Sequence, residues 1–154
     1  MNEYMDVAID LSDDNFDKNY GGPFGACIVK DGKIIGKGIN RVIKNCDPTA
    51  HAEIVAIRDA CKNLGTHDLT GCELYTSCYP CPMCLSAIIW ANIKKVYYGN
   101  TVADAAEIGF RDEPIYEFIK NDNQGNVLDL ETIDHDETIK TFNEFKEKID
   151  KTIY

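Results

Sequence analysis

The chain has 154 residues, 44% of them hydrophobic, which suits one packed domain of ordinary size and excludes a disordered chain. Its formal net charge of −10, from 26 acidic against 16 basic residues, repels phosphate backbones and argues against a large nucleic acid as partner. No apolar run reaches the roughly 18 residues of a membrane span, and seven cysteines behind an opening Met1-Asn2-Glu3-Tyr4 that lacks a secretion signal indicate a reducing, cytoplasmic setting.

Along the chain, Tyr4, Ala8 and Leu11, with Met5, Ile9 and Phe16 nearby, recur at roughly helical spacing over residues 3–19. Gly21-Gly22-Pro23 ends that helix. Two apolar runs, 24–30 and 33–40, are separated by Asp31-Gly32, a hairpin signal because both central turn residues need positive φ. Asp47-Pro48-Thr49 announces a second helix, capped by Asp47 or Thr49 and ended near Leu64 by Gly65. Its apolar face is Ile54, Ile57 and Cys61, with Val55 beside it. A short strand follows at 72–76, a helix at 81–91 and a strand at 95–98. Beyond Gly99 the pattern predicts short helices near 103–108 and 114–120, a strand at 127–133, and a last helix over 137–149. That helix carries Ile139, Phe142, Phe145 and Ile149 on one face. The order hairpin, helix, strand, helix, strand predicts a mixed sheet covered by helices, as a single domain over 1–154.

The chemistry concentrates in two short stretches, His51-Ala52-Glu53 and Pro80-Cys81-Pro82-Met83-Cys84. Cys81 and Cys84, three apart in the first turn of a predicted helix, share one face. The positive end of that helix favours their thiolates, and Pro82 loses nothing where its missing N–H would be unpaired anyway. His51 stands at the start of the other helix, so two helix ends meet at one metal. Spacing of two would set His51 and Glu53 far apart around a long helix, but side chains near an N-terminus lean beyond its end and reach one spot. Three protein ligands and an open vertex mark a catalytic zinc site, whereas four mark a structural one. Two thiolates neutralise the charge of Zn²⁺, so a base must take the proton of the attacking water, and Glu53 is a carboxylate free for that task.

Other readings of these residues exist. A closed site takes Cys78 as fourth ligand, leaving Glu53 without purpose. A redox Cys81/Cys84 pair leaves both His51 and Glu53 as coincidences. A non-enzymatic, zinc-stabilised module is a third. Cys27, Cys46, Cys61 and Cys72 read as small buried hydrophobes, and His67 and His135 as loop or surface residues.

The pattern His-x-Glu…Pro-Cys-x-x-Cys is that of zinc deaminases acting on nucleobases. Residues 21–26 (Gly-Gly-Pro-Phe-Gly-Ala), 29–32, 47–53, 75–84 and 104–112 (Asp-Ala-Ala-Glu-Ile-Gly-Phe-Arg-Asp) together resemble the bacterial guanine deaminases of the cytidine deaminase superfamily. The resemblance implies a three-layer α/β/α fold, a mixed five-stranded sheet with helices on both faces. It implies one zinc ion per subunit, conversion of guanine to xanthine and ammonia, and a homodimer exchanging a segment of about 121–154. By resemblance His51, Cys81 and Cys84 are the zinc ligands and Glu53 the proton shuttle. Asn40, Phe24, Ala52, Asp112 and the terminal Tyr154 fall on substrate-binding positions, Tyr154 reaching into the partner's site. Such roles make chemical sense. A carboxylate accepting guanine's N–H groups rejects bases that lack them, Asn40 both donates and accepts, and Phe24 offers a ring face. Tyr79 stands where the family usually carries Glu, so rate or preference is expected to differ. Guanosine, cytosine and aminotriazines are the alternative substrates, and the acidic surface disfavours tRNA.

Overall fold

A computed structural model describes residues 2–122 and 126–154, as two compact units divided between Asp112 and Glu113. In the first unit, α1 (Glu3–Lys18) starts on Asn2, whose side chain accepts from the Tyr4 and Met5 N–H groups. The hairpin β1 (Gly25–Lys30) and β2 (Lys33–Ile39) closes over Asp31 and Gly32, at φ 49° and 74°, as the Asp-Gly signal predicts. A short α2 (Val42–Asn45), unforeseen in the sequence, precedes α3 (Ala52–Leu64), which Gly65 terminates. Then come β3 (Glu73–Cys78), α4 (Pro82–Trp90), β4 (Lys95–Asn100) and α5 (Val102–Glu107). Thr101 and Asp104 form a capping box on α5.

The strands align in the order β2-β1-β3-β4. β1 is antiparallel to both neighbours, pairing Ala26 with Gly38 on one side and with Thr76 on the other. β3 and β4 run parallel through the crossover of α4, with Glu73 opposite Lys95. Successive β1 residues point to opposite faces, and both faces are covered. On one, Ala26, Ile28 and Leu74 pack with Ala52, Ala56, Ala60 and Ile88 from α3 and α4. On the other, Cys27, Val29 and Tyr75 meet Tyr4, Met5 and Val7 of α1. The result is the expected α/β/α layering.

Several expectations need correction. The sheet has four strands among the described residues, not five. Residues 127–133 form no strand, and Val127, Leu128, Leu130 and Ile133 are exposed. Their apolar pattern fits a strand, but a strand also needs a ladder partner. The buried face of α3 is not Ile57 and Cys61, which are only partly covered, but Ala52, Ala56 and Ala60 with Ile54. The cause is close approach: a Cβ on Gly36 would lie 2.6 Å from the Ala56 carbonyl oxygen, and one on Gly38 2.5 Å from its nitrogen. Glycine strand and alanine helix therefore pack backbone to backbone. On α1, Phe16 is exposed and Asn15 takes the inward position. Cys46 is also exposed rather than buried. Asp47 caps a turn, accepting from the Thr49 N–H and hydroxyl at 2.8 and 2.7 Å, while the N-cap of α3 is His51 itself.

The second unit holds α6 (Glu113–Lys120) and α7 (His135–Glu147). Phe142 and Phe145 of α7, and Ile149 beyond it, are exposed. Among the described residues, no helix of the protein is long and apolar enough to cross a membrane.

Candidate active site

Two helix N-termini converge beside the carboxyl end of β3. His51 is the N-cap of α3 and Cys81 the N-cap of α4, both extended and neither making a side-chain cap bond. Freed from capping, the two side chains point past their helix ends. Pro82 at the first helical position of α4 sets the entry angle, and Cys84 follows within the first turn. His51 Nδ1 lies 3.6 Å from the Cys81 sulfur and 3.6 Å from the Cys84 sulfur. A tetrahedral zinc with bonds of about 2.3 Å to sulfur and about 2.05 Å to nitrogen has N···S edges of about 3.5 Å. The donor set fits that ion. All three ligand atoms lie within 4.8 Å of one another, and among the described residues no fourth side chain joins them.

Cys78, the alternative fourth ligand, turns its sulfur to the Thr101 carbonyl oxygen at 3.6 Å, and burial pushes its thiol up to about 11. The site is open.

The two sulfurs differ in proton affinity. The hydrogen bond from Cys84 holds the Cys81 thiol down at about 4, helped by His51, while the same shared proton and burial push Cys84 up. His51 is raised in turn, chiefly by its hydrogen bond to Cys81.

Glu53, on the first turn of α3, is buried beneath this cluster. Its Oε2 accepts from the Cys84 sulfur at 3.5 Å and its Oε1 from the Thr76 hydroxyl at 3.3 Å. Burial raises its carboxyl above the ordinary value, which suits a group that must both take and give a proton.

A cavity of about 500 Å³ opens over the cluster, lined by His51, Glu53, Cys81, Phe24, Asn40 and Asp112 among others. Phe24 just before β1, Asn40 just after β2, Glu53 of α3 and Asp112 beyond α5 are thus brought together with the candidate ligands. Phe24 is held by an edge-on contact with Phe110, ring centres 5.0 Å apart at 82°. Asn40 is buried, and its Oδ1 accepts from the Val42 N–H at 3.1 Å, leaving Nδ2 for a ligand. A Cβ on Gly21 would strike Asn40 Oδ1, so a larger residue there would displace the Asn40 side chain. Ala52 is fully buried against Gly38. Tyr154 belongs to the second unit and is exposed.

Three residues at the site escaped the sequence reading: Thr76 beneath Glu53, Ser77, whose hydroxyl accepts from the Gly25 N–H at 3.1 Å, and Phe110. None carries a legible local signal: Thr76 and Ser77 are adjacent hydroxyls in β3, and nothing local links Phe110 to Phe24.

Residues 1–100 match the model of the cytidine and deoxycytidylate deaminase zinc-binding region. The chain is 44% identical over 151 residues to the guanine deaminase of Bacillus subtilis, covering 98% of this chain and 97% of that protein. The X-ray structure of guanine deaminase from Bacillus subtilis aligns at a TM-score of 0.92 and 43% identity, over 100% of this chain and 99% of that one. A structure of guanine deaminase from Nitrosomonas europaea aligns at 0.68 and 36% identity, over 72% of this chain and 64% of that one. The tRNA-specific adenosine deaminase of Aquifex aeolicus is 51% identical, but only over 49% of this chain and 50% of that protein.

Proposed function

The chain belongs to the cytidine and deoxycytidylate deaminase family, and from that premise we propose that it hydrolyses guanine to xanthine and ammonia. The observation that carries the substrate is the extent of the likeness. Likeness to the tRNA-specific adenosine deaminase of Aquifex aeolicus covers 49% of this chain, whereas likeness to the guanine deaminase of Bacillus subtilis covers 98%. The acidic surface, −10 overall, agrees with a small uncharged base rather than a polynucleotide.

His51, Cys81 and Cys84 hold one zinc ion per subunit. When bound, zinc would supply Lewis acidity there, easing loss of a proton from the attacking water. Glu53 accepts that proton while the water oxygen bonds to guanine C2. Glu53 passes that proton to ring N3, takes the second proton from the new C2 hydroxyl and delivers it to the amine; the C2–N bond breaks and ammonia departs with that electron pair as the hydroxyl oxygen becomes the carbonyl. The new carbonyl of xanthine remains at C2. Asn40 Nδ2 and the Phe24 ring orient the purine, with the α3 backbone at Ala52 beneath it. Asp112 accepts from the N–H groups of its edge.

The protein acts in the cytoplasm, in keeping with its seven free thiols. It acts as a homodimer in which a segment of about 121–154 is exchanged and Tyr154 closes the partner's cavity. The exposed Phe142, Ile149 and Tyr154 support that arrangement. Mixing Tyr154→Ala with Glu53→Gln tests it: exchange regenerates one intact site per heterodimer, and absence of restored turnover counts against it.

The substrate test is ammonia release from guanine, guanosine, cytosine, adenine and ammeline, with Glu53→Gln as blank. Release from guanine is expected. Stoichiometric zinc with no release from any of them would leave only a zinc-stabilised module.

A further inference from the structure

Asn15 is a polar residue in the wrong place for a helix. It lies in the last turn of α1, completely buried, where an apolar side chain would pack without cost. Its Nδ2 donates to two carbonyl oxygens, Gly22 at 2.7 Å and Asn40 at 2.9 Å. Two acceptors on one nitrogen fix the orientation of the amide. Its Oδ1 is thereby left facing the interior with no donor, the one such orphan among the described residues. Buried unsatisfied acceptors are retained where something other than stability is served.

What is served is visible in the partners. Gly22 belongs to the turn leading to Phe24, and Asn40 follows β2; both segments line the cavity over Glu53. One turn earlier on the same face of α1, the Ser12 hydroxyl donates to the Pro23 carbonyl oxygen at 2.6 Å. Asn40 and Phe24 are also joined directly, the Asn40 N–H donating to the Phe24 carbonyl oxygen at 3.1 Å. Helix α1 thus grips the backbone of Asn40 and of the Gly22-Pro23 turn that leads to Phe24 from behind, through side chains that are not among those lining the cavity.

We propose that Asn15 is a positioning residue for substrate: it sets where Asn40 Nδ2 and the Phe24 ring stand relative to Glu53. This inference rests on the reading of Asn40 and Phe24 as the purine holders. Its signature is in binding rather than in chemistry, because Glu53, Thr76 and the metal ligands are anchored to α3, β3 and α4 and do not touch Asn15.

The test is Asn15→Leu in the zinc-loaded enzyme, which keeps the volume and removes both donors. The expected result is a KM for guanine raised roughly tenfold or more, with kcat changed by less than about threefold and zinc content intact, since small misplacements of orienting groups weaken productive binding. Ile88→Val, a core change in α4, serves as the stability control and should lower Tm with KM unmoved. Asn40→Ala separates the two layers of the argument. If it raises KM and Asn15→Leu does not, positioning by Asn15 is overturned and the reading of Asn40 stands. If neither raises KM, the reading of Asn40 falls and takes this inference with it. Should Asn15→Leu fail to fold, Asn15→Ala admits water to the two carbonyls and gives the same readout, a smaller rise in KM supporting the proposal and an unchanged KM ending it.

Discussion

The hydroxyl of Thr76, in the middle of β3, donates to Oε1 of Glu53 at 3.3 Å, and both side chains are buried. A carboxylate meant to shuttle a proton has a free rotor unless something holds one oxygen still. Thr76 holds Oε1, which leaves Oε2, on the Cys84 side, to face the reaction.

Thr76→Val keeps the shape of the side chain and removes that donor. We expect kcat to fall roughly tenfold with KM within about twofold, the range for loss of one orienting hydrogen bond to a charged group. Steady-state kinetics on guanine decide it; an unchanged kcat shows that Glu53 needs no anchor.

Glu53→Gln keeps size and hydrogen-bonding capacity but cannot accept and release a proton. Turnover should drop by about 10²–10⁴, the usual contribution of a general acid–base. Metal analysis on the same sample should return stoichiometric zinc, because His51, Cys81 and Cys84 are untouched. Near-normal turnover would remove Glu53 from the mechanism.

Gly38 faces the Ala56 nitrogen across a gap that a methyl group closes to 2.5 Å. Gly38→Ala should therefore destabilise the fold by about 1–3 kcal/mol through overpacking. It should also depress activity, since α3 carries His51 and Glu53 and must move outward with its backbone. Denaturant unfolding and guanine turnover measured together would show it. A variant as stable and as active as the parent would mean that α3 adjusts freely.

Burial pushes the Cys27 thiol from its ordinary 9.0 up to about 11, against Lys37 pulling it down. The sign follows from proton binding: with the folded value raised, the contribution of Cys27 to stability is fully present below pH 9.0 and is lost as pH rises through about 11. A thiol reagent near pH 8 should modify the exposed Cys46 promptly and spare the buried Cys27 until the protein unfolds. Equal rates at the two sulfurs would contradict the burial.

What could be read without coordinates was whatever depends on short spacing. His51 with Glu53, and Cys81 with Cys84, sit within a turn of one another, and hairpin, caps and helix ends are likewise local, so residue type and interval were sufficient. Asn15, Thr76 and Phe110 could not be found that way. Each acts on a partner that the sheet brings close from elsewhere in the chain: Asn40, Glu53 and Phe24. The strand expected at 127–133 failed for a related reason, since an apolar alternation says which side chains would be buried but not whether a ladder partner exists. The inward face of α3 followed the same logic, small alanines winning over larger Ile57 because Gly36 and Gly38 lie opposite. Local chemistry named the candidate ligands, whose donor atoms the fold brings within 4.8 Å of one another, and the carboxylate buried beside them. Only packing between distant segments decided what holds them still and which faces touch, because those contacts are stabilised by proximity that no interval along the chain encodes.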